Sequence, residues 1–197
     1  MAKRRKDYIG KELLLYGDNV SENLKTEEAI IIIGNNDAYE LTAGDDIIIC
    51  GNNSSLDITA SGNVTIRGEN DSTHIHAGKS ISIKEDNKSG MLTVGGSIVI
   101  NGNNDSKDIH ALQDVEIFGD SEATDIYAEG SVMIGGNCRA IHITTKGNVT
   151  ISGNCECQII KSDKVVTISG DLIRGNVFAR KIVIKGKVHS QAYIKEI

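Results

Sequence analysis

Apolar residues in this chain recur in columns set 17 positions apart. One column runs Leu24, Leu41, Ile58, Ile75, Leu92, Ile109, Ile126, Ile143, Ile160 and Val177. A second runs Ile30, Ile47, Val64, Ile81, Ile98, Val115, Val132, Val149 and Val166, and a third, two residues further on, Ile32, Ile49, Ile66, Ile83, Ile100, Ile117, Ile134, Ile151 and Ile168. A glycine marks each copy, at Gly17, Gly34, Gly51, Gly68, Gly102, Gly119, Gly136, Gly153 and Gly170, and only Glu85 breaks that row. A fixed period with no insertion means one supersecondary unit copied end to end. Within each copy apolar and polar residues alternate at spacing two, as in Val64-Thr65-Ile66, which is strand periodicity rather than helical. Gly, Asn, Asp and Ser fall between the strand pieces, where turns need them. The pattern predicts an all-β fold: a single-stranded right-handed parallel β-helix (β-solenoid) with three short strands per 17-residue coil and about ten coils. The right hand follows from the crossover rule for parallel strands, and ten coils at roughly 4.8 Å each make a rod of about 50 Å.

Two polar columns belong to the same wall. Asn19, Asn36, Asn53, Asn70, Asn87 and Asn104 form one, continued by Ser121, Cys138, Cys155 and Leu172. Stacked asparagines can hydrogen-bond amide to amide along the rod and satisfy polar groups at a tight corner. The other column, Ser21, Ala38, Ser55, Ser72, Ser89, Ser106, Ala123, Ala140 and Cys157, keeps small residues where the wall bends inward.

The pattern loosens at both ends. Leu13 and Leu15 match the last two inward columns, so a half-coil begins near Lys11, which divides the chain into a basic arm, 1–10, and a solenoid domain, 11–197. Near the other end Val177 and Ile182 are five residues apart where six is the rule, giving a coil of 16. The segment Gly175-Asn-Val177-Phe-Ala179-Arg-Lys-Ile182-Val-Ile184-Lys-Gly186-Lys-Val188 resembles the bactofilin family of bacterial polymer-forming cytoskeletal proteins, over residues 165–194. Coils such as Leu56–Arg67 equally resemble the repeats of filamentous-haemagglutinin-type adhesins. The first resemblance implies a rod that polymerises, and the second a rod that displays a binding face.

Composition narrows the choice. Proline is absent, so no stiff linker divides the chain, and aromatics make up only 4%, so the core is thin. No apolar run is long enough to span a bilayer, and no apolar stretch follows the basic start as in a secretory signal. Four cysteines without framework spacing suit a reducing compartment, so the expected location is cytoplasmic. Residues 12–160 carry 8 basic and 23 acidic side chains, whereas 1–11 and 161–197 are net basic. An acidic body argues against a nucleic-acid partner. The Lys3-Arg4-Arg5-Lys6 arm could touch an anionic membrane surface or an acidic partner, or could simply solubilise the chain.

Several clusters invite a chemical reading. Asp57, His74, His76, Asp108, His110, Asp125 and His142 all face outward beside one inward column. Catalysis or metal binding needs groups that converge on a point, whereas these spread over a flat face, and a solvated polar surface is the simpler reading. Cys138, Cys155 and Cys157 could in principle pair or hold a metal, but their columns mark them as small core residues. Loop-free coils leave no cleft to orient a substrate, so the chain is expected to be no enzyme and to use no cofactor.

The expected function is therefore structural: a rigid rod that self-assembles into dimers or filaments through Leu13, Leu15 and Ile30 at one end, and Val177, Ile182, Ile184, Val188 and Ile194 at the other. Solenoid ends leave unpaired strand edges that join other copies unless capped. Leu14, Ile31 and Ile48 form a lateral apolar patch, either an interface or a surface covered by residues 1–10. The rival class is a monomeric binding module of adhesin, phage-fibre or effector type, meeting a glycan or protein along His74, His76, His110 and Tyr127. An enzymatic pocket would have to form among Asp57, His74, Asp108 and His110.

Overall fold

The computed structural model describes residues 7–197. Every element among the described residues is a β-strand, and every pairing is parallel between successive turns, 17 residues apart along most of the rod, as in Asn53↔Asn70 and Ile58↔Ile75. The chain is a parallel β-solenoid, and its winding fits a right-handed β-helix. The strands form two ladders rather than three: a 12-stranded sheet of long strands and an 11-stranded sheet of short ones, so the rod has about eleven turns instead of ten.

The third predicted strand is the bent half of the long one. In Asn53–Ala60 the inward residues are Asn53, Ser55, Ile58 and Ala60, with Leu56 and Asp57 both facing out. Alternation slips by one residue there and the chain turns a corner. The ladder skips only Leu56, running from Ser55↔Ser72 directly to Asp57↔His74. One missed pair does not break the hydrogen-bonded strand, so the corner is a bend and not a boundary. The short strands, such as Val64–Ile66, close the section and bury both flanking aliphatics.

The interior is one continuous column of Ile, Leu, Val and Ala running from Leu13 to Ala179. Each buried aliphatic contributes about 1.5–3 kcal/mol, and the narrow bore explains why rings are excluded. At most of the recurring glycines, Gly17 excepted, successive turns approach closely. A Cβ at Gly136 would lie 2.8 Å from Asp120 N and 2.9 Å from the Gly119 carbonyl carbon.

The solenoid starts earlier than Lys11. Tyr8–Gly10 is a strand that pairs with Leu24, Lys25 and Thr26. Tyr8 lies 16 residues before its partner Leu24 and packs against the core, so the expected arm contributes its last residues to the wall. Lys3, Arg4, Arg5 and Lys6 lie outside the described residues.

Candidate functional site

Three side-chain ladders hold the turns together, and they decide what each end exposes. The predicted amide ladder is present. Asn19 Nδ2 donates to Asn36 Oδ1 at 2.7 Å, and the links from Asn36 to Asn53, Asn53 to Asn70, Asn70 to Asn87 and Asn87 to Asn104 are each 2.8 Å. All donors point toward the C-terminal end. Among the described residues, Asn19 Oδ1 at the first rung is a buried acceptor without a partner.

A second ladder was not foreseen. The Asp and Asn side chains of the column that follows the glycines accept the backbone N–H of their counterpart one turn on: Asn35 from Asn52 at 2.9 Å, Asp120 from Asn137 at 2.6 Å, Asp171 from Lys187 at 2.7 Å. The signal was the Asp/Asn enrichment of that column, from Asp18 to Asp171. A third, looser ladder precedes the short strands, where Asp46 Oδ1 accepts from Asn63 N and Asp114 Oδ1 from Ser131 N, both at 2.6 Å.

At the N-terminal end the mouth is partly covered. The Tyr8 hydroxyl donates to the Glu12 carbonyl at 2.9 Å, and Asp7 Oδ1 accepts from Asn23 N at 3.1 Å. Leu13 and Ile30 are buried, so of the residues expected to form this interface only Leu15 keeps exposed surface. On the outer face Leu14 is 49% exposed, and Tyr8 and Ile9 lie in the other sheet, so they do not fold over it. Ile31 and Ile48 continue the patch half-buried, and Tyr16 and Ile33, 74% and 42% exposed, widen it.

The C-terminal end is open. The coil of 16 brings Gly186 N to Gly170 O at 3.2 Å. The final strand, Val188–Glu196, pairs on one side only. Val188, Ile194 and Ile197 are 48%, 38% and 67% exposed, and Ile182 and Ile184 are half-buried. Val177 does not belong to this surface: it is buried beneath Ile194. Glu196 takes a column filled by Ala179 one turn earlier, and its carboxylate accepts the Ile182 N–H at 3.1 Å. A charged inward residue on an edge coil is a common way to blunt a sheet edge. The pairing below is irregular too. Register slips beside Glu156, where Gly175, with φ +128, packs its backbone against the Cys157 carbonyl, a place only glycine can fill. Glu156 spans the slip by pairing with Arg139 at 3.3 Å and Arg174 at 3.0 Å.

The His/Asp face forms isolated pairs. His74 Nδ1 lies 2.7 Å from Asp57 Oδ1 and His142 Nδ1 2.6 Å from Asp125 Oδ1, while the His110 and Tyr127 rings meet at 4.8 Å. Met91 separates His74 from Asp108, and Thr93 separates His76 from His110. Asp57, His74, Asp108 and His110 therefore stay strung along the sheet. Among the described residues no group of three or more His, Cys, Asp or Glu is placed to hold a metal ion. Tyr127 donates to Glu129, and Lys146 beside Glu129 holds that carboxyl below its usual range.

A groove exists where none was expected. It follows the asparagine corner from Asp18 to Ile173, with a volume of about 1210 Å³, and nine carboxylates line it against Lys88 and Arg139. The inward turn between the two flanking outward columns makes it, so no inserted loop is required. Its carboxylates are strung along the rod and do not converge.

The three C-terminal thiols touch. Cys155 Sγ lies 3.3 Å from Cys157 Sγ, and Cys138 Sγ 3.6 Å from it, all buried. Hydrogen bonds with Cys155 and Cys157, and then burial, push Cys138 up. Cys157, bonded to Cys138 and Cys155, is held below the usual thiol range. Compared with family models, curated proteins and solved structures, the chain matches none.

Proposed function

We propose that this chain is a structural rod, without catalytic activity or cofactor, that joins further copies through its terminal coils. The observation that carries the reading is the last coil, whose strand edge is unpaired and whose Val188, Ile194 and Ile197 stand in solvent. Burying such aliphatics against another copy returns roughly 25 cal/mol per Å², and the edge offers backbone hydrogen bonds as well. The apolar strip of Leu14, Tyr16 and Ile33 at the other end gives a second place for copies to meet. The bactofilin resemblance points the same way, and cysteines without disulfide-framework spacing fit a reducing, cytoplasmic setting. The basic arm would add contact with an anionic surface.

The test replaces an exposed aliphatic of the open end. Ile194→Arg keeps the circular dichroism of a β-solenoid and abolishes the higher-order species seen in light scattering and negative-stain microscopy. Unchanged assembly of that variant overturns the reading.

A second reading draws on the acidic groove. A monomeric rod could hold a linear partner along that corner or across the His110–Tyr127 face. It requires one species in light scattering at every concentration, which separates it from the first.

A further inference from the structure

We infer that Cys138, Cys155 and Cys157 form an oxidation site at which a peroxide converts the stacked pair Cys138–Cys155 into a disulfide joining two successive turns. Three observations on geometry carry this, independently of whether the rod self-associates. First, the sulfurs are already in contact, at 3.3 Å and 3.6 Å around Cys157. Second, the backbone permits only some pairings. Cys138 and Cys155 are register partners, so their Cα atoms stand one rung apart, about 4.8 Å, inside the 4.4–6.8 Å that disulfides span. Cys138 and Cys157 are offset by a rung and two residues, roughly 8 Å, beyond that reach. Cys155 and Cys157 sit two residues apart on one strand, about 6.6 Å, at its limit. Third, although the thiols are buried, Cys138 borders the groove, and the ladder next to Cys157 is one of the two that slip, so the wall there opens more readily than along the regular coils.

The chemistry balances with hydrogen peroxide as oxidant. The Cys157 thiolate attacks one peroxide oxygen, the O–O bond breaks, and hydroxide leaves and is protonated to water. The Cys155 thiol then attacks the sulfenic sulfur of Cys157, the S–O bond breaks, and the thiol proton leaves with the hydroxide as a second water. The Cys138 thiol attacks the Cys155 sulfur, the Cys155–Cys157 bond breaks, and the Cys138 proton passes to the departing Cys157 sulfur, which forms the Cys138–Cys155 bond and returns Cys157 as a thiol. Two thiols are oxidised and one peroxide is reduced to two waters. Low thiolate pKa and a neighbouring resolving thiol favour such a sequence.

The experiment treats the folded Cys50→Ser chain with hydrogen peroxide, quenches it by alkylation, and maps disulfides by mass spectrometry. The expected product is a monomer that has lost two hydrogen masses, with the tryptic peptide containing Cys138 joined to residues 147–161. Cys155→Ala abolishes that link. Cys157→Ala keeps it but slows its formation at least tenfold. Retention of all three thiols in the folded chain overturns the inference, and so does a bond confined to residues 147–161. A link that survives Cys155→Ala overturns the assigned pair.

Discussion

The two halves of the rod line the same inward corner with opposite chemistry. From Asn19 to Asn104 the column is six amides in one hydrogen-bonded chain; from Ser121 it passes through Cys138 and Cys155 to Leu172. The backbone turns the corner either way, so the amides are not what makes the bend. What differs is the cost of error. An amide chain must be complete, because each member satisfies its neighbours in a low-dielectric interior. A thiol column tolerates gaps, since sulfur is a weak donor and acceptor. Pairing stays regular through Ser121, Cys138 and Cys155 and slips only near Glu156, where the column reaches Leu172.

Exchanging the two linings gives the largest expected effect. Cys155→Asn places an amide between Cys138 and Leu172, neither of which can satisfy it, and costs about 3 kcal/mol. Asn70→Cys costs about 2 kcal/mol although cysteine occupies that column elsewhere, because Asn87 Oδ1 loses the Asn70 Nδ2 donor at 2.8 Å. Chemical denaturation of both variants measures this. If either exchange is neutral, the two linings are interchangeable and the comparison fails.

Truncation within the second half is expected to be milder. Cys155→Ala removes one buried sulfur and leaves no polar group stranded, so it costs about 1 kcal/mol. A loss as large as that from Asn70→Cys shows that the thiol contacts hold the corner as firmly as the amides.

The sequence carried most of this fold because the period is unbroken. Inward columns such as Ile58, Val64 and Ile66 place every core residue, and spacing two gives strands. The number of strands per turn was less accessible. Side-chain alternation marks a corner at Leu56–Asp57, but whether the backbone ladder survives there is a matter of hydrogen bonding that the pattern does not encode. The ladder after each glycine was legible in Asp18, Asn35 and Asn52 but reads as ordinary turn composition until stacking is known. Tyr8 was not accessible: running the 17-residue period back from Leu24 lands on Asp7, because the first coil is one residue short. Glu196 was accessible, standing 17 residues after Ala179, because the register shift between Leu172 and Arg174 restores the period after the short coil. The groove arises from a bend in the wall, and no residue type announces it.

The smallest effect concerns how the last turn is attached. Asn154 and Asp171 do the same work on successive turns, accepting the N–H of Asp171 at 2.8 Å and of Lys187 at 2.7 Å. Only Asp171 titrates. The Lys187 N–H, and then His189, hold its carboxyl below the usual value, near 3.9 in an unfolded chain. A carboxyl depressed by folding contributes above its unfolded value and loses that contribution as pH falls through its folded value. Acidification below about pH 4 therefore loosens the Lys187 amide, read as a falling protection factor in hydrogen exchange, while the Asp171 amide, held by the neutral Asn154, keeps its protection. Asp171→Asn removes the pH dependence at Lys187 and keeps the bond. Equal acid sensitivity of the two amides means that the whole end frays together, and that the charge on Asp171 does not set the attachment of the open coil.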